Sequence, residues 1–472
     1  LSAAIEAANR GLGVLLICKS SAGRSGNTLV SGAALSVMNA GAGDSNSLLE
    51  EDILSSGCGM SDPDICRVFS KESASALCEL KESGVAFKEP GGIPMVKQPP
   101  GHSVPRMFPS EYRKFPYKNR GLALTLPLVK RAEKLGVAVR NDTAALRVLT
   151  RGNSVCGLLA WDGRSGRVLH FRTGIVILAA GGGAGLYSRN NNTADVSCDS
   201  FGLAYEAGAV LRDMEMVQFY PSMMYEPVRI PISNPLFGEV AVLRNALGEE
   251  FLCRYSPMGN HATRDLMARA VKQEIDEGRG NPGYVYVDCS GIPGNVLEMR
   301  YGELSAILAR YGLNPEKDLL PVAPSAHFYL GGVDIDRTCA TSVEGLLACG
   351  EAAGGLHGAN RLAGIALAEA AVFGKIAGRT ASTLFKKHQP PASPAEPDVV
   401  LPGSPGVPLA ELTEKLREML WDCASLVRSE ASLEKAEREI GEISRELEGG
   451  GRGNAEDPPR YFALRSMVLT AR

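Results

Sequence analysis

The sequence lacks several features that mark whole classes of proteins. It contains no run of 18 or more apolar residues, so no segment is expected to cross a membrane as a helix. Its 50 Lys and Arg residues against 53 Asp and Glu leave a formal net charge of −3, which gives no overall field that would attract nucleic acid or anionic lipid. We therefore expect small molecules or other proteins as partners.

Cysteine pairs are also missing. Eleven cysteines are spread from Cys18 to Cys423 without a C-x-x-C pair or a Cys/His pairing at metal-ligand spacing. This usage is typical of a reduced compartment rather than of a disulfide framework. The sequence therefore predicts no metal site and a cytoplasmic protein with buried thiols.

Neither end of the sequence shows the pattern with which a helix usually begins or ends. Residues 1–9 begin inside an alanine-rich helical pattern without a cap, and residues 466–472 stop inside an apolar, helix-like run. We expect both ends to be truncated. A glycine-rich G-x-G-x-x-G loop, which would precede the first helix of a dinucleotide-binding unit, would then lie upstream of Leu1.

The sequence contains 53 glycines. Some of them directly follow two apolar segments, in an arrangement that is typical of cofactor-binding folds. Residues 14–17 form a short apolar run after the first helix, as in a βαβ unit. Residues 175–180 lead into Gly181 and Gly182, and residues 343–349 lead into Gly350 and Glu351. One such turn is usually plain architecture, but two in this order favour a dinucleotide site.

The length of 472 residues predicts two or three domains. We predict an α/β fold with a Rossmann-like cofactor-binding domain in residues 1–228 and 321–388, and an inserted α+β capping domain in residues 229–320. A proline-rich linker at residues 389–408 is expected to lead to an incomplete helical domain at residues 409–472.

Seven groups of motifs, in order, resemble the family of fumarate reductase and succinate dehydrogenase flavoproteins and L-aspartate oxidase. The resemblance covers nearly the whole chain. Its segments are residues 23–32, 176–185, 202–209 with 214–221, 263–269, 327–332, 350–364, and 419–422 with 427–430.

This resemblance implies FAD as the cofactor and assigns residues to it. Asn27 occupies the position of the histidine that holds FAD covalently in the respiratory enzymes, so we expect non-covalent FAD. The residues that fall on family FAD contacts are Lys19, Ser25, Asn27, Thr28, Gly32, Ala180, Gly181, Gly182, Asp199, Gly350, Glu351, Asn360, Arg361, Ala366 and Leu367.

The resemblance also implies the reacting groups. Arg264, beside Asp265, matches the arginine that delivers or removes a proton, while His327 and Arg361 match groups that bind the substrate carboxylate. From spacing alone, Arg264 would fit a surface ion pair in a charged helix, and His327 would fit a core or surface histidine. The motif context favours the catalytic assignments.

Two positions depart from the family pattern. Tyr220 stands in Gln218-Phe-Tyr-Pro where the family has a substrate-binding histidine, and residues 233–239 replace a loop that carries Thr, Glu and Arg. A tyrosine donates a hydrogen bond but has no positive charge. A substrate other than fumarate or succinate is therefore compatible with the sequence.

The family chemistry implies hydride transfer between FAD and a carbon next to a carboxylate, with C–C bond reduction or desaturation as the leading hypothesis. The alternatives are amine oxidation like that of L-aspartate oxidase, and a flavin-binding electron-transfer subunit with a degenerate site. The sequence has no iron–sulfur cysteine pattern, which leaves room for a separate iron–sulfur or other electron-transfer partner and for membrane association through it.

Overall fold

The structure, a computed structural model, describes residues 1–232, 236–237, 240–387, 403–450 and 457–472. Parts of the replaced loop (233–235 and 238–239) and most of the linker (388–402) therefore lie outside the described residues, as do residues 451–456. The helices of the described part are α1 (Ser2–Asn9), α2 (Asn27–Val30), α3 (Asn46–Ser56), α4 (Pro63–Glu82), α5 (Leu122–Lys134), α6 (Asp199–Glu206), α7 (Arg264–Asp276), α8 (Gly294–Ala309), α9 (Ile365–Lys387), α10 (Leu409–Ala424), α11 (Glu430–Glu448) and α12 (Pro458–Ala471).

Several helices begin at residues that cap them. The carboxylate of Asp62 accepts from the backbone amides of Asp64 and Ile65 at the start of α4, where Pro63 occupies the first helical position. None of the helices in the described part of the chain has the length and hydropathy that a membrane crossing requires. The described residues also contain no group of three His, Cys, Asp or Glu side chains that could hold a metal ion.

The described part of the chain contains short strands, which pair into several small sheets. They are β1 (Leu15–Ile17), β2 (Ala34–Ser36), β3 (Met107–Pro109), β4 (Ala138–Arg140), β5 (Thr143–Arg151), β6 (Ser154–Asp162), β7 (Arg167–Phe171), β8 (Val176–Leu178), β9 (Leu211–Arg212), β10 (Val217–Met224), β11 (Ile230–Pro231), β12 (Val242–Arg244), β13 (Val285–Asp288), β14 (Leu320–Tyr329), β15 (Gly332–Val333) and β16 (Leu346–Ala348). β1 pairs in parallel with β4, and β8 with β16. The predicted apolar segments at 14–17, 175–180 and 343–349 each contain one of these parallel strands.

An antiparallel sheet in the order β11-β10-β14-β13-β12 links the two halves of the cofactor-binding region to the inserted segment. Its strands β10 and β14 are paired from Val217↔Tyr329 to Met223↔Ala323. Because β10 enters the inserted segment and β14 leaves it, side chains of both strands reach the boundary between the two regions.

The described residues form two separate hydrophobic cores. The larger contains residues from the two halves of the cofactor-binding region and from α10, α11 and α12. The smaller is built from buried residues between Met224 and Val322. The domain boundaries set out above remain predictions, but these cores show that the inserted segment buries its own apolar surface.

Candidate active site

One cavity of 2310 Å³ collects almost all of the predicted site residues. This volume exceeds the roughly 300–1,000 Å³ of a typical small-molecule pocket, so it has room for a dinucleotide and a substrate. The predicted residues that line it are Lys19, Ser25, Asn27, Thr28, Gly32, Ala180, Gly181, Asp199, Tyr220, Arg264, His327, Gly350, Glu351, Asn360, Arg361, Ala366 and Leu367.

Gly182 is the predicted contact that does not line the cavity. It packs against Glu351, and a Cβ on this glycine would collide with the glutamate carboxylate. Its side-chain-free backbone therefore leaves space for Glu351. A direct contact between Gly182 and FAD stays a prediction.

The parallel strands β8 and β16 end beside one another at the cavity. Gly181 and Gly350, just beyond them, have φ of +82° and +66°, a region that glycine adopts without the penalty of a Cβ. The first residues of α1 and the first turn of α9 also line the cavity. Helix N-termini and tight glycine turns give the backbone amides that phosphate groups require.

Glu351 carries a buried carboxyl group at this end of the cavity. Its Oε1 accepts from the Tyr329 backbone amide at 3.1 Å, and its Oε2 accepts from Asn27 Nδ2 at 3.3 Å. Burial raises the pKa of Glu351 to about 7, although both hydrogen bonds oppose that shift. A buried carboxyl that faces open space fits the hydroxyl groups of a ribityl or ribose chain.

Lys19 and Asp199 form an ion pair on the same side of the cavity. Nζ of Lys19 lies 2.9 Å from Asp199 Oδ2 and 2.7 Å from Ser197 Oγ. Burial raises the pKa of Asp199, while Lys19 opposes the shift. These side chains offer charged and hydroxyl partners to a nucleotide.

Asn27 is held by amide groups on both sides. Its Nδ2 donates to Asn192 Oδ1 at 2.7 Å, and its Oδ1 accepts from the Thr193 backbone amide at 3.2 Å. An amide side chain has no nucleophilic nitrogen with which to attach a flavin. Together with the glycine turns and Glu351, this donor set fits FAD, and the attachment is expected to be non-covalent.

The groups predicted to react lie farther along the cavity, where four elements meet. Tyr220 is on β10, His327 is on β14, Arg264 begins α7, and Arg361 lies just before α9. The rings of Tyr220 and His327 are 5.5 Å apart, and Cζ of Arg264 lies 5.4 Å from the centre of the Tyr220 ring. The structure thus brings together side chains that are up to 141 positions apart.

Arg361 is buried and held by Gln218. Its Nη2 donates to Gln218 Oε1 at 2.8 Å, and its Cζ lies 4.6 Å from the centre of the Phe328 ring. Its Nε is buried without a hydrogen-bond partner. Burial, followed by the charge of Arg264, lowers the pKa of Arg361 to about 9.

His327 faces the same space as the two arginines. Its Nδ1 lies 3.0 Å from Asn191 Oδ1. Burial lowers its pKa well below the usual value, and the charges of Arg361 and Arg264 add to this shift. The imidazole is therefore neutral near pH 7 in the absence of an anion.

Arg264 does not join the surface ion pairs of α7. Asp265 is bonded instead to Arg269 at 3.1 Å, and Glu274 is bonded to Arg279 at 2.8 Å. Within the described ranges, Arg264 has no carboxylate partner, and burial lowers its pKa. The alternative interpretation, in which Arg264 forms an ion pair on the surface of its helix, therefore does not match the structure.

Tyr220 is buried, and its hydroxyl donates to the carbonyl oxygen of Ile232 at 2.8 Å. Its ring provides the wall against which Arg264 and His327 pack. The residue thus positions its neighbours through its ring. A direct contact with substrate stays a prediction.

The sequence interpretation did not assign Gln218, Asn191 or Asn192. Gln218 fixes Arg361, Asn191 holds His327, and Asn192 joins Asn27 to the His327 backbone carbonyl, which accepts at 3.0 Å. Gln218 stands within the quoted Gln-Phe-Tyr-Pro motif, which could have identified it. The run of three asparagines at 190–192 was the corresponding signal for the other two.

The chain is similar to known proteins along most of its length. Residues 1–367 match the model of the FAD binding domain family. The chain is 32% identical over 442 residues to a subunit of the fumarate reductase (CoM/CoB) of Methanothermobacter marburgensis, with 89% of this chain and 79% of that protein covered. It is also 32% identical over 440 residues to the L-aspartate oxidase of Caulobacter vibrioides, with 91% and 80% covered.

A solved structure shows the same fold. Quinol fumarate reductase of E. coli matches with a TM-score of 0.86 and 23% identity, covering 100% of this chain and 85% of that chain. The fold and cavity define a flavin-dependent oxidoreductase. The chain belongs to the family of FAD-dependent oxidoreductases that includes fumarate reductase and L-aspartate oxidase. The predicted family, α/β fold class and FAD cofactor are confirmed.

Proposed function

We propose that this enzyme transfers a hydride between FAD and a carbon next to a substrate carboxylate, with reduction or desaturation of a C–C bond as the reaction. The observation that carries the proposal is the convergence of Arg264, Arg361 and His327 on one cavity. Besides burial, which is the largest cause of both shifts, the charge of Arg264 lowers the pKa of Arg361, and the charges of both arginines lower the pKa of His327. These groups therefore repel one another's charges, and a bound carboxylate would relieve that repulsion.

Each group has a distinct part in this reaction. FAD supplies the hydride chemistry when bound. In the direction of reduction, FAD would supply a hydride to one alkene carbon and Arg264 would give a proton to the other, so that the C=C bond would become a C–C bond with two new C–H bonds. Arg361 and His327 hold the carboxylate, where negative charge develops. Oxidation reverses these steps.

The low-pKa arginine suits the transfer of a proton. Arginine is ordinarily charged at all accessible pH values, which makes it a poor base. Burial lowers the pKa of Arg264, and its place as the first residue of α7 adds the positive end of the helix dipole. Both factors bring the proton affinity of Arg264 closer to the working range of an acid–base group.

A second candidate reaction is amine oxidation. It is favoured by the similarity to L-aspartate oxidase and by Asn27, which leaves FAD non-covalent. Ammonia and hydrogen peroxide formed from aspartate and oxygen would identify it. A non-catalytic flavin subunit is less well supported, because Arg264, His327 and Arg361 are all present at the cavity.

The proposal extends to the setting of the enzyme. All eleven cysteines are free, which suits a reducing compartment such as the cytoplasm. Electrons would pass to or from a separate partner, with iron–sulfur proteins as the leading class, and any membrane association would come through that partner.

The test is the oxidation of a reduced dye by the flavin-loaded protein with a panel of unsaturated carboxylates. Arg264→Ala should lose turnover by on the order of a thousandfold or more, because the positioned acid and a fixed positive charge beside the developing negative charge are both removed. Arg254→Ala, which breaks an exposed pair with Glu249 and removes a side chain that does not line the cavity, is the matched control and should keep its rate. A flavin-loaded wild-type protein that is inert to the whole panel would contradict the proposal.

A further inference from the structure

The segment that follows α4 contributes an unusual set of charges to the cavity. Between residues 88 and 120 the cavity-lining side chains include five basic residues and no acidic one. The basic ones are Lys88, Lys97, Arg113, Lys118 and Arg120. None of these five residues is among those that the sequence assigned to FAD or to the group formed by Arg264, His327 and Arg361.

Two of these cations alternate with aromatic rings. Nζ of Lys88 lies 3.9 Å from the centre of the Tyr112 ring. Cζ of Arg120 lies 5.3 Å from the centre of Tyr112 and 4.2 Å from the centre of Tyr117. We call this row of Lys88, Tyr112, Arg120 and Tyr117 the cation–aromatic row. All four side chains are half-buried and line the cavity.

Within the part of the chain that the structure describes, neither Lys88 nor Arg120 has a carboxylate partner. The Nε atom of Arg120 is buried without a hydrogen-bond partner. The aromatic faces attract the cations and fix their position, but they use none of the N–H donors. A guanidinium held flat with free donors is suited to bind an anion in a bidentate contact.

Helix α8 brings acidic side chains to the same cavity. Glu298 and Glu303 both line it, and neither forms an ion pair with Arg120 or Lys88. Burial raises the pKa of Tyr117 to about 12, with Arg120 opposing the shift and Glu303 adding to it. The acids are thus near the row, but they leave the N–H groups of its two cations unpaired.

Tyr117 of the row and Tyr220 among the reaction groups donate to consecutive backbone carbonyls. Tyr117 donates to the carbonyl oxygen of Pro231 at 3.3 Å, and Tyr220 donates to the next carbonyl, that of Ile232, at 2.8 Å. The ring of Tyr220 then contacts Arg264. The two guanidinium groups thus pack on different rings, that of Arg120 on Tyr117 and that of Arg264 on Tyr220.

We propose that Arg120, fixed by Tyr112 and Tyr117 and assisted by Lys88, binds a second anionic group at the far end of the substrate. The inference rests on the proposed function, because it concerns the remote end of a molecule whose carboxylate is bound by Arg361 and His327. The substrate class is then an extended dianion, with a carboxylate or a phosphate as the remote group. Tyr220 and the replaced 233–239 loop are consistent with recognition that differs from that of fumarate.

The test is calorimetric titration of the flavin-loaded protein without an electron acceptor. The probes are butanoate, the dicarboxylates glutarate, adipate and pimelate, and 4-phosphonobutanoate, which separates a carboxylate from a phosphate-like remote group. We expect at least one dianion to bind about tenfold or more tightly than butanoate, as for a charge-assisted hydrogen bond. Arg120→Gln should remove this preference and change butanoate affinity by less than about twofold.

Two further variants separate binding from folding. Arg120→Lys keeps the positive charge but not the planar guanidinium group that makes a bidentate contact, so it should retain only part of the preference for dianions. Lys114→Gln removes an exposed charge of the same segment that does not line the cavity, and it should behave like the wild type. Unchanged butanoate binding shows in each case that the cavity is intact.

Each outcome of these experiments has a distinct meaning. A wild-type protein with no preference for any dianion, or an Arg120→Gln variant that weakens butanoate and dianions equally, would overturn the inference. An Arg120-dependent preference in a protein that turns over no unsaturated carboxylate would support the binding site while the proposed reaction fails. Turnover of unsaturated carboxylates without Arg120-dependent binding would support the reaction and overturn the inference.

Discussion

His327 shows how one residue takes its properties from its neighbours. With Asn191 Oδ1 as the acceptor, Nδ1 of the ring carries the proton, and Nε2 of the neutral ring can only accept. Burial, followed by the nearby charges of Arg361 and Arg264, keeps the pKa of His327 well below its usual value. A bound carboxylate would place a negative charge beside the ring and raise that pKa. His327 would therefore become a donor only when the anion arrives.

We predict that carboxylate binding takes up a proton near pH 7. If the bound carboxylate offsets the charges of Arg361 and Arg264, His327 gains a proton on binding, and affinity should fall as the pH rises, by up to about tenfold per pH unit. Titration of an inert carboxylate in buffers of different ionisation enthalpy measures the uptake. His327→Gln should abolish it. Equal apparent enthalpies in all buffers for the wild type would contradict this account.

Helix α9 has a role at the scale of the element. It begins at Ile365, and Ala366 and Leu367 in its first turn line the cavity. The positive end of its dipole therefore faces the expected position of the flavin, where it would stabilise negative charge on the reduced cofactor.

We predict that Ala366→Asp weakens FAD binding by about tenfold or more, because it puts an anion between the helix end and the cofactor. The same substitution should stabilise the helix itself by about 0.3–1 kcal/mol, so a loss of FAD cannot be attributed to unfolding. Thr383→Asp, in the exposed last part of α9, is the control. Flavin fluorescence on dilution gives the affinity. Equal affinity in Ala366→Asp and the wild type would show that this turn does not contact FAD.

Different elements were readable from the sequence to different degrees. The strands β8 and β16 and their glycine turns follow from local apolar runs and glycine positions, and the sequence predicted both. The bond between Gln218 and the Arg361 backbone joins residues 143 apart. The row formed by Lys88, Tyr112, Arg120 and Tyr117 likewise arises from a loop without a periodic pattern. Such contacts depend on tertiary packing, which local patterns do not encode.

At the scale of the whole molecule, the C-terminal helices pack against strand β10 of the active site. Trp421 on α10 packs against Phe219, with ring centres 6.1 Å apart, and Phe219 in turn packs against Tyr187 at 5.5 Å. Phe219 lies on β10 between Gln218 and Tyr220. The C-terminal helices are therefore joined through one aromatic contact to the strand that positions Arg361 and Arg264.

We predict that Trp421→Ala lowers the free energy of unfolding by about 3–5 kcal/mol, because the large ring is buried against Phe219. It should also raise KM, since β10 would lose its support. Leu433→Ala on α11, which is 45% exposed, should change stability by less than about 0.5 kcal/mol. Denaturant unfolding and steady-state kinetics measure the two effects. A destabilised variant with an unchanged KM would show that the C-terminal helices do not support the site.

The central claim is that Arg264, His327 and Arg361 act on a carboxylate substrate beside the flavin. Its most direct test is an anaerobic single-turnover experiment, in which the reduced, flavin-loaded protein is mixed with an unsaturated carboxylate that the panel identifies. The account predicts rapid reoxidation of the flavin in the wild type and in Arg254→Ala, and reoxidation slower by on the order of a thousandfold in Arg264→Ala. Equal reoxidation rates in wild type and Arg264→Ala, with the same flavin content, would contradict it.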